Sequence, residues 1–375
     1  MKQVVLAQTL PGSGYSMVRY GTGLHEALVK ASYEGWSIES LRLGSNQAAR
    51  DLKPSTARES RFDRYVRYPI AVRRVNADVV HIVDHGYAHL LLGLNGTPAV
   101  VTCHDTIPWL MARGEVPSGI PRRVMWSVIM RLRMLNRARH IIADSHNTKR
   151  DLERLMPLLA GKISVIYPGV GGNFTRPPLA WDKRHARDAL GIPGADRLLL
   201  GIGGSKVSKN ALGLLRIFAA VHERTTGVRL AIVGSLTDDF RRTAREMRIA
   251  DRLHEFRDLP EERLVDLYRA SDVLIFPSWY EGFGWPPLEA MACGVPVVAS
   301  RAGSLAEVLG DGALLFEPSD TLGFANAIER LLGNSELAQR QIEAGLRRSS
   351  RYTWEHTAEQ VFDVYKHVLG VPFSH

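Results

Sequence analysis

The sequence has no long apolar run and very little cysteine. None of its apolar stretches approaches the ~18 consecutive residues that a transmembrane helix requires. The first one, Val4–Ala7, is too short for a signal peptide. The two cysteines, Cys103 and Cys293, lie far apart, each within an apolar segment. We therefore expect no disulfide scaffold, and the pattern favours a cytoplasmic protein that is not integral to a membrane.

Low-complexity tracts and fixed-period repeats are also missing, and short apolar segments alternate with helical patterns instead. This alternation is typical of a doubly wound α/β fold with parallel sheets. Strands are predicted near residues 4–7, 37–41, 79–83, 99–103, 141–143, 164–166, 198–202, 230–233, 253–256, 273–276, 297–299 and 313–316. Helices are predicted at 24–32, 145–156 with Ser145 as N-cap, 211–223, 239–249, 261–270, 321–332 and within 336–369.

The chain has 375 residues, more than the roughly 250–300 that one hydrophobic core usually supports. Two domains are therefore expected. The alternation of strands and helices breaks at Tyr167–Gly172, and Pro177-Pro178 follows. We predict one domain over residues 1–170, a second over 171–350, and a C-terminal helix in 351–375 that packs back toward the first.

Acidic residues are scarce in the first half of the chain. Residues 1–170 hold 23 Lys and Arg against 13 Asp and Glu, whereas residues 171–375 hold 25 against 26. Two stretches with the pattern of basic amphipathic helices concentrate the excess. Their arginines are Arg58, Arg61, Arg64 and Arg67 in one, and Arg122, Arg123, Arg131, Arg133, Arg137 and Arg139 in the other. The pattern predicts an anionic partner, such as a membrane surface, a lipid diphosphate or nucleic acid, or simply a solvated helix face.

A glycine-rich turn follows the predicted strand 198–202 and precedes a predicted helix. Its residues include Gly203, Gly204, Ser205, Lys206 and Lys209. Glycines let a backbone approach phosphate closely, and the helix N-terminus and a lysine supply positive charge. The turn is neither a Walker A loop nor a G-x-G-x-x-G motif. It indicates a diphosphate site, with an ordinary turn and an exposed lysine as the alternative.

A more specific segment, residues 277–296, follows the predicted strand 273–276. It places Glu281 on a loop at the carboxyl end of the strand and Glu289 near the start of a helix, since Pro287 fits a first helical turn. Carboxylates accept hydrogen bonds from vicinal diols, which hexoses and riboses both carry. A glutamate at a helix start can also serve only to compensate the helix dipole.

The run Tyr-Glu-Gly-Phe-Gly-x-Pro-Pro-Leu-Glu-Ala-Met-Ala-Cys-Gly-x-Pro-Val, with Glu281 and Glu289 separated by seven residues, resembles the signature of glycosyltransferase family 4. The resemblance is strong from Leu198 to Pro318 and looser before it. It implies the GT-B fold, in which two Rossmann-like domains face each other across a cleft, and sugar transfer from a nucleotide diphosphate sugar with retention. The first domain would bind the acceptor and the second the nucleotide sugar.

The resemblance also implies roles for individual residues. Glu281 would contact donor-sugar hydroxyls near the anomeric carbon, and Glu289 the ribose. The Gly282–Gly284 loop would hold sugar and phosphate through the backbone N–H groups of Phe283 and Gly284. Lys209 would pair with the diphosphate, and Lys206 stands near the position where many members have an arginine. Arg257 and Leu259 would border the base.

In the first domain, His104 at the end of Val100–Asp105 is similar to a strand-end histidine of the family that faces the donor sugar. A histidine there can donate a hydrogen bond to a sugar hydroxyl or to a backbone carbonyl. The segment Gly12-Ser13-Gly14-Tyr15 resembles the family's loop at the diphosphate and acceptor. Glu281, His104 and Lys209 are therefore the predicted catalytic residues.

Two patterns that could suggest a metal are set aside. His81, His85 and His89 recur every four residues, but His81 lies in a predicted strand and Gly86 interrupts a helix. Asp238 and Asp239 are interpreted as the acidic first turn of a helix. No essential metal and no other cofactor is expected.

The sequence thus predicts a retaining hexosyltransferase, using a GDP- or UDP-sugar of the mannose or glucose type. The expected acceptor is a saccharide or lipid-linked saccharide in cell-surface polysaccharide or lipopolysaccharide synthesis. The expected place is the cytoplasm, with peripheral attachment to the inner face of the membrane. Front-face attack is favoured for retention, with Glu281 as a nucleophile the competing mechanism. A GT-B phosphorylase or epimerase is the alternative enzyme, and a basic nucleic-acid-binding protein the alternative without chemistry, although no nucleic-acid partner is expected.

Overall fold

The computed structural model describes residues 1–10, 15–43, 60–119, 122–178, 181–193 and 195–372. The chain divides into two compact units. Unit 1 comprises Met1–Arg113, Ile120–Gly169 and Tyr352–His375, and unit 2 comprises Gly114–Gly119 and Val170–Arg351. Each unit is an α/β layer structure with one sheet.

Unit 1 contains a six-stranded parallel sheet. Its strands are β1 (Lys2–Ala7), β2 (Trp36–Leu41), β3 (Val79–Ile82), β4 (Ala99–Cys103), β5 (His140–Ala143) and β6 (Ile163–Val165), in the order β2-β1-β3-β4-β5-β6. Every residue of β3, β4 and β5 is buried, as expected for parallel strands covered on both faces. Its helices are α1 (Tyr15–Ala31), α2 (Tyr68–Arg73), α3 (Ile107–Ala112), α4 (Arg122–Leu132), α5 (His146–Leu155) and, at the end of the chain, α14 (Trp354–Val368). Shorter pieces are a π-helical turn (Asp63–Arg67) and 3-10 helices at His85–Gly93, Arg133–Arg137 and Pro157–Leu159.

Unit 2 repeats this architecture. Its parallel strands are β7 (Arg197–Ile202), β8 (Val228–Val233), β9 (Leu253–Phe256), β10 (Val273–Phe276), β11 (Val297–Ser300) and β12 (Ala313–Phe316), in the order β12-β11-β10-β7-β8-β9. Its helices are α6 (Lys183–Ala189), α7 (Ala211–Arg224), α8 (Asp238–Glu246), α9 (Glu261–Ala270), α10 (Trp285–Ala292), α11 (Leu305–Leu309), α12 (Thr321–Gly333) and α13 (Ser335–Ser349). Short 3-10 turns occur at Val207–Lys209, Ala250–Arg252 and Gly310–Gly312.

The strand orders determine where ligands are expected. In unit 2 the order reverses between β7 and β10, and in unit 1 between β1 and β3. Open α/β sheets bind ligands beyond the carboxyl ends of the strands at such a switch point. The segments that follow β7 and β10 therefore frame the expected site of unit 2.

The predicted α/β fold with two parallel sheets is confirmed, and every predicted strand is present with bounds within two residues. Ser145 is the N-cap of α5, and its side chain accepts a hydrogen bond from the Thr148 N–H. Asp238 and Asp239 lie in the first turn of α8, as interpreted.

Helix α1 begins nine residues before its predicted start at residue 24. The prediction was wrong because Gly21 and Gly23 interrupt the apolar pattern. In the structure both glycines lie inside the helix, where a Cβ would overlap the Gln8 side chain at Gly21 and the Trp354 ring at Gly23. Close packing against these neighbours offsets the low helix propensity of glycine.

Among the described residues, the first arginine-rich stretch is helical and the second is helical as far as Arg137, but one arginine departs from the predicted basic face. Arg64 is half-buried, donates a hydrogen bond of 2.7 Å to the Gly86 carbonyl and lies 4.2 Å from the centre of the Tyr87 ring. Arg58 and the side chains of Arg122 and Arg123 lie outside the described residues. Within the described ranges, no helix has the length and apolar character needed to cross a bilayer.

Candidate active site

The glycine turn after β7 has a backbone that requires glycine. Gly203 and Gly204 have φ values of 127° and 57°, which side-chain-bearing residues rarely adopt. A Cβ on Gly204 would also lie 2.5 Å from the Ser235 carbonyl oxygen. The 3-10 turn Val207–Lys209 then leads into α7. The turn thus brings its backbone and Lys209 to the carboxyl end of a switch-point strand.

Asn210 holds the junction between this turn and α7. It is buried, has a left-handed φ of 53°, and accepts a hydrogen bond from the Gly213 N–H. Its side-chain amide donates to the carbonyls of Pro277 and Pro318 at 3.0 and 2.9 Å. One side chain therefore joins the segments that follow β7, β10 and β12. Sequence reasoning missed Asn210, although an asparagine directly before an apolar helix is a recognisable N-cap signal.

Lys209 and Glu281 meet in a close ion pair. The Lys209 Nζ lies 2.6 Å from Glu281 Oε1 and 2.7 Å from Oε2. Glu281 is 6% exposed and Lys209 is half-buried. A carboxylate this buried needs a charged partner, and here one ammonium contacts both of its oxygens. The structure thus brings together two residues that the sequence analysis placed in one site from separate motifs.

The loop that carries Glu281 rests on the segment after β11. The Ser304 N–H donates to the Glu281 carbonyl at 3.0 Å, and the Ser304 hydroxyl bonds to the carbonyls of Glu281 and Phe283. Gly303 has a φ of 62°, and a Cβ there would overlap the Glu281 carbonyl oxygen. Sequence reasoning missed Gly303 and Ser304. The signal was a glycine just beyond a buried strand, where a close approach of backbone is common.

Helix α10 follows the loop and carries Glu289. Gly284 precedes the helix with a φ of 104°, and Pro286 and Pro287 occupy its first turn, where their missing N–H groups cost little. Glu289 is buried, and its Oε2 accepts a hydrogen bond of 2.8 Å from the Tyr268 hydroxyl of α9. The carboxylate is therefore fixed by the protein on at least one side.

The other predicted donor-site residues lie on two loops of unit 2. The Ser205 hydroxyl accepts a hydrogen bond from the Thr237 N–H at 2.9 Å. Lys206 is exposed as a whole residue, yet its pKa is lowered, first by partial desolvation of the amine and then by the charge on Lys209. Arg257 is exposed and pairs with Glu255 at 2.6 Å, while Leu259 is half-buried. Lys206 thus adds a second cation close to Lys209.

In unit 1, both ring nitrogens of buried His104 are engaged by the protein. Nδ1 lies 2.6 Å from Asp144 Oδ2, and Nε2 lies 2.8 Å from the Val83 carbonyl. A carbonyl only accepts, so Nε2 carries a proton, and the carboxylate holds a second proton on Nδ1. Burial alone would lower the pKa of His104, but Asp144 reverses this effect and raises it to about 9. His104 is therefore a buried imidazolium. The sequence analysis named a sugar hydroxyl or a backbone carbonyl as its hydrogen-bond acceptor, and in the structure the acceptor at Nε2 is the Val83 carbonyl.

Asp144 is the partner of His104 that sequence reasoning missed. It lies directly after β5, 40 positions from His104, and is almost fully buried. Its Oδ1 has no hydrogen-bond partner among the described residues. Asp84 and His85, which follow β3, lie on the same side of the sheet, and the His104 N–H donates to His85 Nδ1 at 3.3 Å. The carboxyl ends of β3, β4 and β5 thus hold a compact set of charged and polar groups.

The remaining candidates have separate surroundings. Gly12, Ser13 and Gly14 lie outside the described residues, and Tyr15 begins α1. His81 is buried between the Tyr365 hydroxyl at 2.7 Å and the Thr102 hydroxyl at 2.8 Å, and burial lowers its pKa to about 3. His89 donates to the Arg64 carbonyl at 2.9 Å. Each of these two histidines has its own protein partners.

Comparison with known proteins supports this picture. Residues 182–348 match the family model described as glycosyl transferases group 1, and residues 40–171 match the model described as glycosyltransferase family 4. D-inositol 3-phosphate glycosyltransferase 2 of Catenulispora acidiphila is 33% identical over 245 residues, 62% of this chain and 57% of that protein. The chain spans between 57% and 63% of the length of the first three curated relatives that it matches.

Solved structures match over nearly the whole chain. Sucrose-phosphate synthase from Thermosynechococcus elongatus is 20% identical, with a TM-score of 0.77 over 99% of this chain and 100% of that one. Anabaena HepE in complex with UDP and glucose is 16% identical, with a TM-score of 0.75 over 98% and 100%. At these identities the likeness establishes the fold. The two matched models and the two parallel six-stranded sheets show that the chain belongs to glycosyltransferase family 4 and has the GT-B fold.

Proposed function

We propose that the protein is a retaining glycosyltransferase that moves a hexose of the mannose or glucose type from a nucleotide diphosphate sugar to a saccharide or lipid-linked saccharide. The observation that carries the proposal is the Lys209–Glu281 pair beyond the switch-point strands of unit 2. The pair places a cation, which can bind a diphosphate, beside a carboxylate, which can accept hydrogen bonds from sugar hydroxyls. Family membership supports the same chemistry.

In the proposed reaction, the bond between the anomeric carbon and the β-phosphate oxygen breaks while the acceptor oxygen bonds to that carbon. Negative charge develops on the leaving phosphate, and the acceptor hydroxyl loses its proton to that phosphate. Fixed positive charge at this point lowers the barrier. Lys209, Lys206 and the N-terminus of α7 supply it, since all three lie at the turn after β7.

The geometry of Glu281 favours front-face attack over a covalent intermediate. Both oxygens of its carboxylate lie within 2.7 Å of the Lys209 ammonium. A carboxylate whose two oxygens both contact an ammonium group is a weak nucleophile. It still accepts hydrogen bonds from sugar hydroxyls well. Glu281 is therefore assigned to binding and orienting the donor sugar, and the leaving phosphate to accepting the proton.

The proposal also names the chemical class of the donor and of the acceptor. Of the matched proteins, one is solved with UDP and glucose, and others are named as D-inositol 3-phosphate glycosyltransferases. For this chain we propose a UDP- or GDP-hexose donor and an acceptor in cell-surface polysaccharide or lipopolysaccharide synthesis, used at the cytoplasmic face of the membrane. The basic character of residues 1–170 is the observation that favours an anionic or membrane-bound acceptor.

A donor screen tests the proposal. UDP- and GDP-hexoses are compared by thermal shift and by nucleoside diphosphate release, with saccharide acceptors and D-inositol 3-phosphate added in turn. We expect one donor to stabilise the protein and to be consumed with acceptor, and NMR of the product to show retained anomeric configuration. Consumption of free sugar phosphate in place of nucleotide sugars would indicate a phosphorylase, and an inverted product would contradict the proposed mechanism.

Transfer is expected to persist in excess EDTA at more than half its untreated rate. The reason is that Lys209 and Lys206 supply, at the turn after β7, the charge that a divalent cation supplies elsewhere. The measurement is the initial rate with and without EDTA, followed by added Mg²⁺ or Mn²⁺. A loss of nearly all activity that Mg²⁺ or Mn²⁺ restores would overturn this expectation.

Gly303→Ala is expected to lower kcat/KM at least tenfold, on the order of 1.4 kcal/mol or more. The new Cβ would press on the Glu281 carbonyl and displace the loop. Gly191→Ala is the matched control, because Gly191 has a similar φ of 73° with nothing within 4 Å of its Cβ position. Equal losses in the two variants would mean that backbone strain, and not the contact with Glu281, is responsible.

A further inference from the structure

One surface of unit 1 exposes apolar side chains in a regular row. The helical segment 61–73 buries Tyr68 and Val72 and leaves Phe62, Val66 and Ile70 exposed. These three residues are spaced four apart, so they lie on one side of the helix, one turn after another. Phe62 is 61% exposed. The pattern is that of an amphipathic helix whose apolar side faces away from the core.

Helix α4 also exposes apolar side chains. It buries Met125, Ile129 and Leu132 and exposes Trp126, which is 61% exposed, and Met130. The Arg131 guanidinium donates a hydrogen bond to the Tyr65 hydroxyl, so the last turn of α4 contacts segment 61–73. Of the thirteen large apolar side chains exposed in the described residues, six lie on these two helices. Such clustering is unlike the scattered exposure that is ordinary for soluble proteins.

The charge along these two helices is mostly positive. The sequence has no Asp or Glu from Val116 to Ala143, and Asp63, the only acid between Ser60 and Ala77, pairs with Arg67 at 2.9 Å. The exposed arginines on segment 61–73, directly after it and in the 3-10 helix that follows α4 are Arg61, Arg67, Arg73, Arg74, Arg133 and Arg137. Arg137 also lines a cavity of about 480 Å³ together with Arg139 and Lys162. Arg64 is excluded from this set because it is held against Gly86 and Tyr87.

We propose that this surface, formed by segment 61–73 and α4, docks on an anionic lipid bilayer. Aromatic and aliphatic side chains enter the boundary between headgroups and acyl chains, and the exposed arginines contact anionic headgroups. A nucleic acid would use the arginines but would leave the exposed Phe62, Ile70 and Met130 without a partner. A second copy of the chain docking through this surface would bring like charges together. The bilayer alone matches both the apolar row and its charge.

This inference deepens the proposed function, which places transfer at the cytoplasmic face of the membrane, but docking itself does not require sugar transfer. A soluble acceptor would reach the site without any bilayer, whereas a lipid-linked one is available only at its surface. The proposal therefore predicts two separable properties in one chain. Loss of vesicle binding should leave transfer to a soluble acceptor unchanged, because Phe62 and Trp126 lie outside the residues assigned to catalysis.

The test uses the full chain and sedimentation with vesicles of phosphatidylcholine, with or without phosphatidylglycerol. Binding is expected to the anionic vesicles and to weaken with salt. Phe62→Ser combined with Trp126→Ser should lower the affinity roughly tenfold or more. Arg61→Glu with Arg67→Glu and Arg73→Glu should lower it by a similar factor. Leu158→Ser is the matched control, since Leu158 is 79% exposed in the same unit but lies outside this surface.

Circular dichroism and thermal unfolding show whether each variant remains folded. Vesicle binding that is unchanged in the Phe62→Ser and Trp126→Ser variant would overturn the proposal. So would RNA or DNA displacing the protein from vesicles at equal charge concentration. A dimer that dissociates in this variant, with no vesicle binding by the parent protein, would assign the surface to a second copy instead.

Discussion

Replacing Lys209 with alanine is expected to lower kcat/KM for sugar transfer by about 10²–10³-fold, the loss that follows removal of one fixed donor at a developing anion. The Lys209 ammonium contacts both oxygens of Glu281. Its removal deletes the main charge for the leaving phosphate and also leaves a buried carboxylate unpaired. We therefore expect a weaker donor affinity, a lower kcat and a lower melting temperature together.

Two comparisons separate these effects. Lys206→Ala removes a neighbouring cation and should cost less than Lys209→Ala, because Glu281 then keeps its ion pair with Lys209 at 2.6 Å. The double variant Lys209→Ala, Glu281→Ala should recover stability but not activity. A Lys209→Ala enzyme with normal turnover and unaltered donor affinity would show that the phosphate site is misassigned.

Glu281→Ala distinguishes the two routes to retention. Under front-face attack, an external nucleophile such as azide does not restore turnover, because the carboxylate forms no bond to the sugar. Under double displacement, azide fills the space and gives a glycosyl azide of inverted configuration. Product analysis by NMR with azide present is the measurement.

The sequence predicted the fold well because the signals involved are local. Strands such as β4 and β10 are short, continuous apolar runs, and parallel strands buried on both faces require that pattern. The glycines that follow β7 indicate a turn from local sequence alone, whatever tertiary contacts the turn makes. The start of α1 could not be predicted, since Gly21 and Gly23 are stabilised by Gln8 and Trp354, one of them more than 300 positions away.

The site was predictable where a motif carries the chemistry in consecutive residues, as for Glu281. It was not predictable where the chemistry depends on partners from distant strands. Nothing near His104 in the sequence indicates that its Nδ1 hydrogen-bonds to Asp144, or that its Nε2 donates to the Val83 carbonyl. The close approach of Gly303 to the Glu281 backbone could not be predicted either. Nor could the contacts of Arg64, because it has the same sequence spacing as the exposed arginines around it.

His104→Ala is expected to destabilise unit 1 and to lower transfer by about 10²-fold through the loss of the ring's positive charge. A lost hydrogen bond to the sugar is not the reason, because both ring nitrogens are bonded to Asp144 and Val83. Removing the imidazolium leaves Asp144 buried without its charged partner, a change that typically costs about 3–5 kcal/mol. Asp144→Asn is the milder variant, since it keeps the shape of the pair while removing the carboxylate that charges His104. It should lower activity as well, in proportion to the loss of positive charge on the ring.

The pH dependence of the free energy of unfolding tests whether His104 is protonated beside Asp144. The pKa of His104 is raised from its ordinary 6.5 to about 9 in the folded protein, so folding favours the protonated ring. The resulting stabilisation, on the order of 3 kcal/mol, is complete below about pH 6.5 and is lost as the pH rises through about 9. Urea unfolding at intervals from pH 6 to about pH 8.5 should therefore give a free energy of unfolding that falls across this range. At higher pH the buried thiols of Cys103 and Cys293, whose pKa values are raised by burial, add a fall of their own in every variant. In Asp144→Asn the fall due to His104 should largely disappear, while His185→Gln, at an exposed histidine of α6, should retain it. An equal fall in Asp144→Asn would mean that another group titrates there and that His104 is neutral in the folded protein.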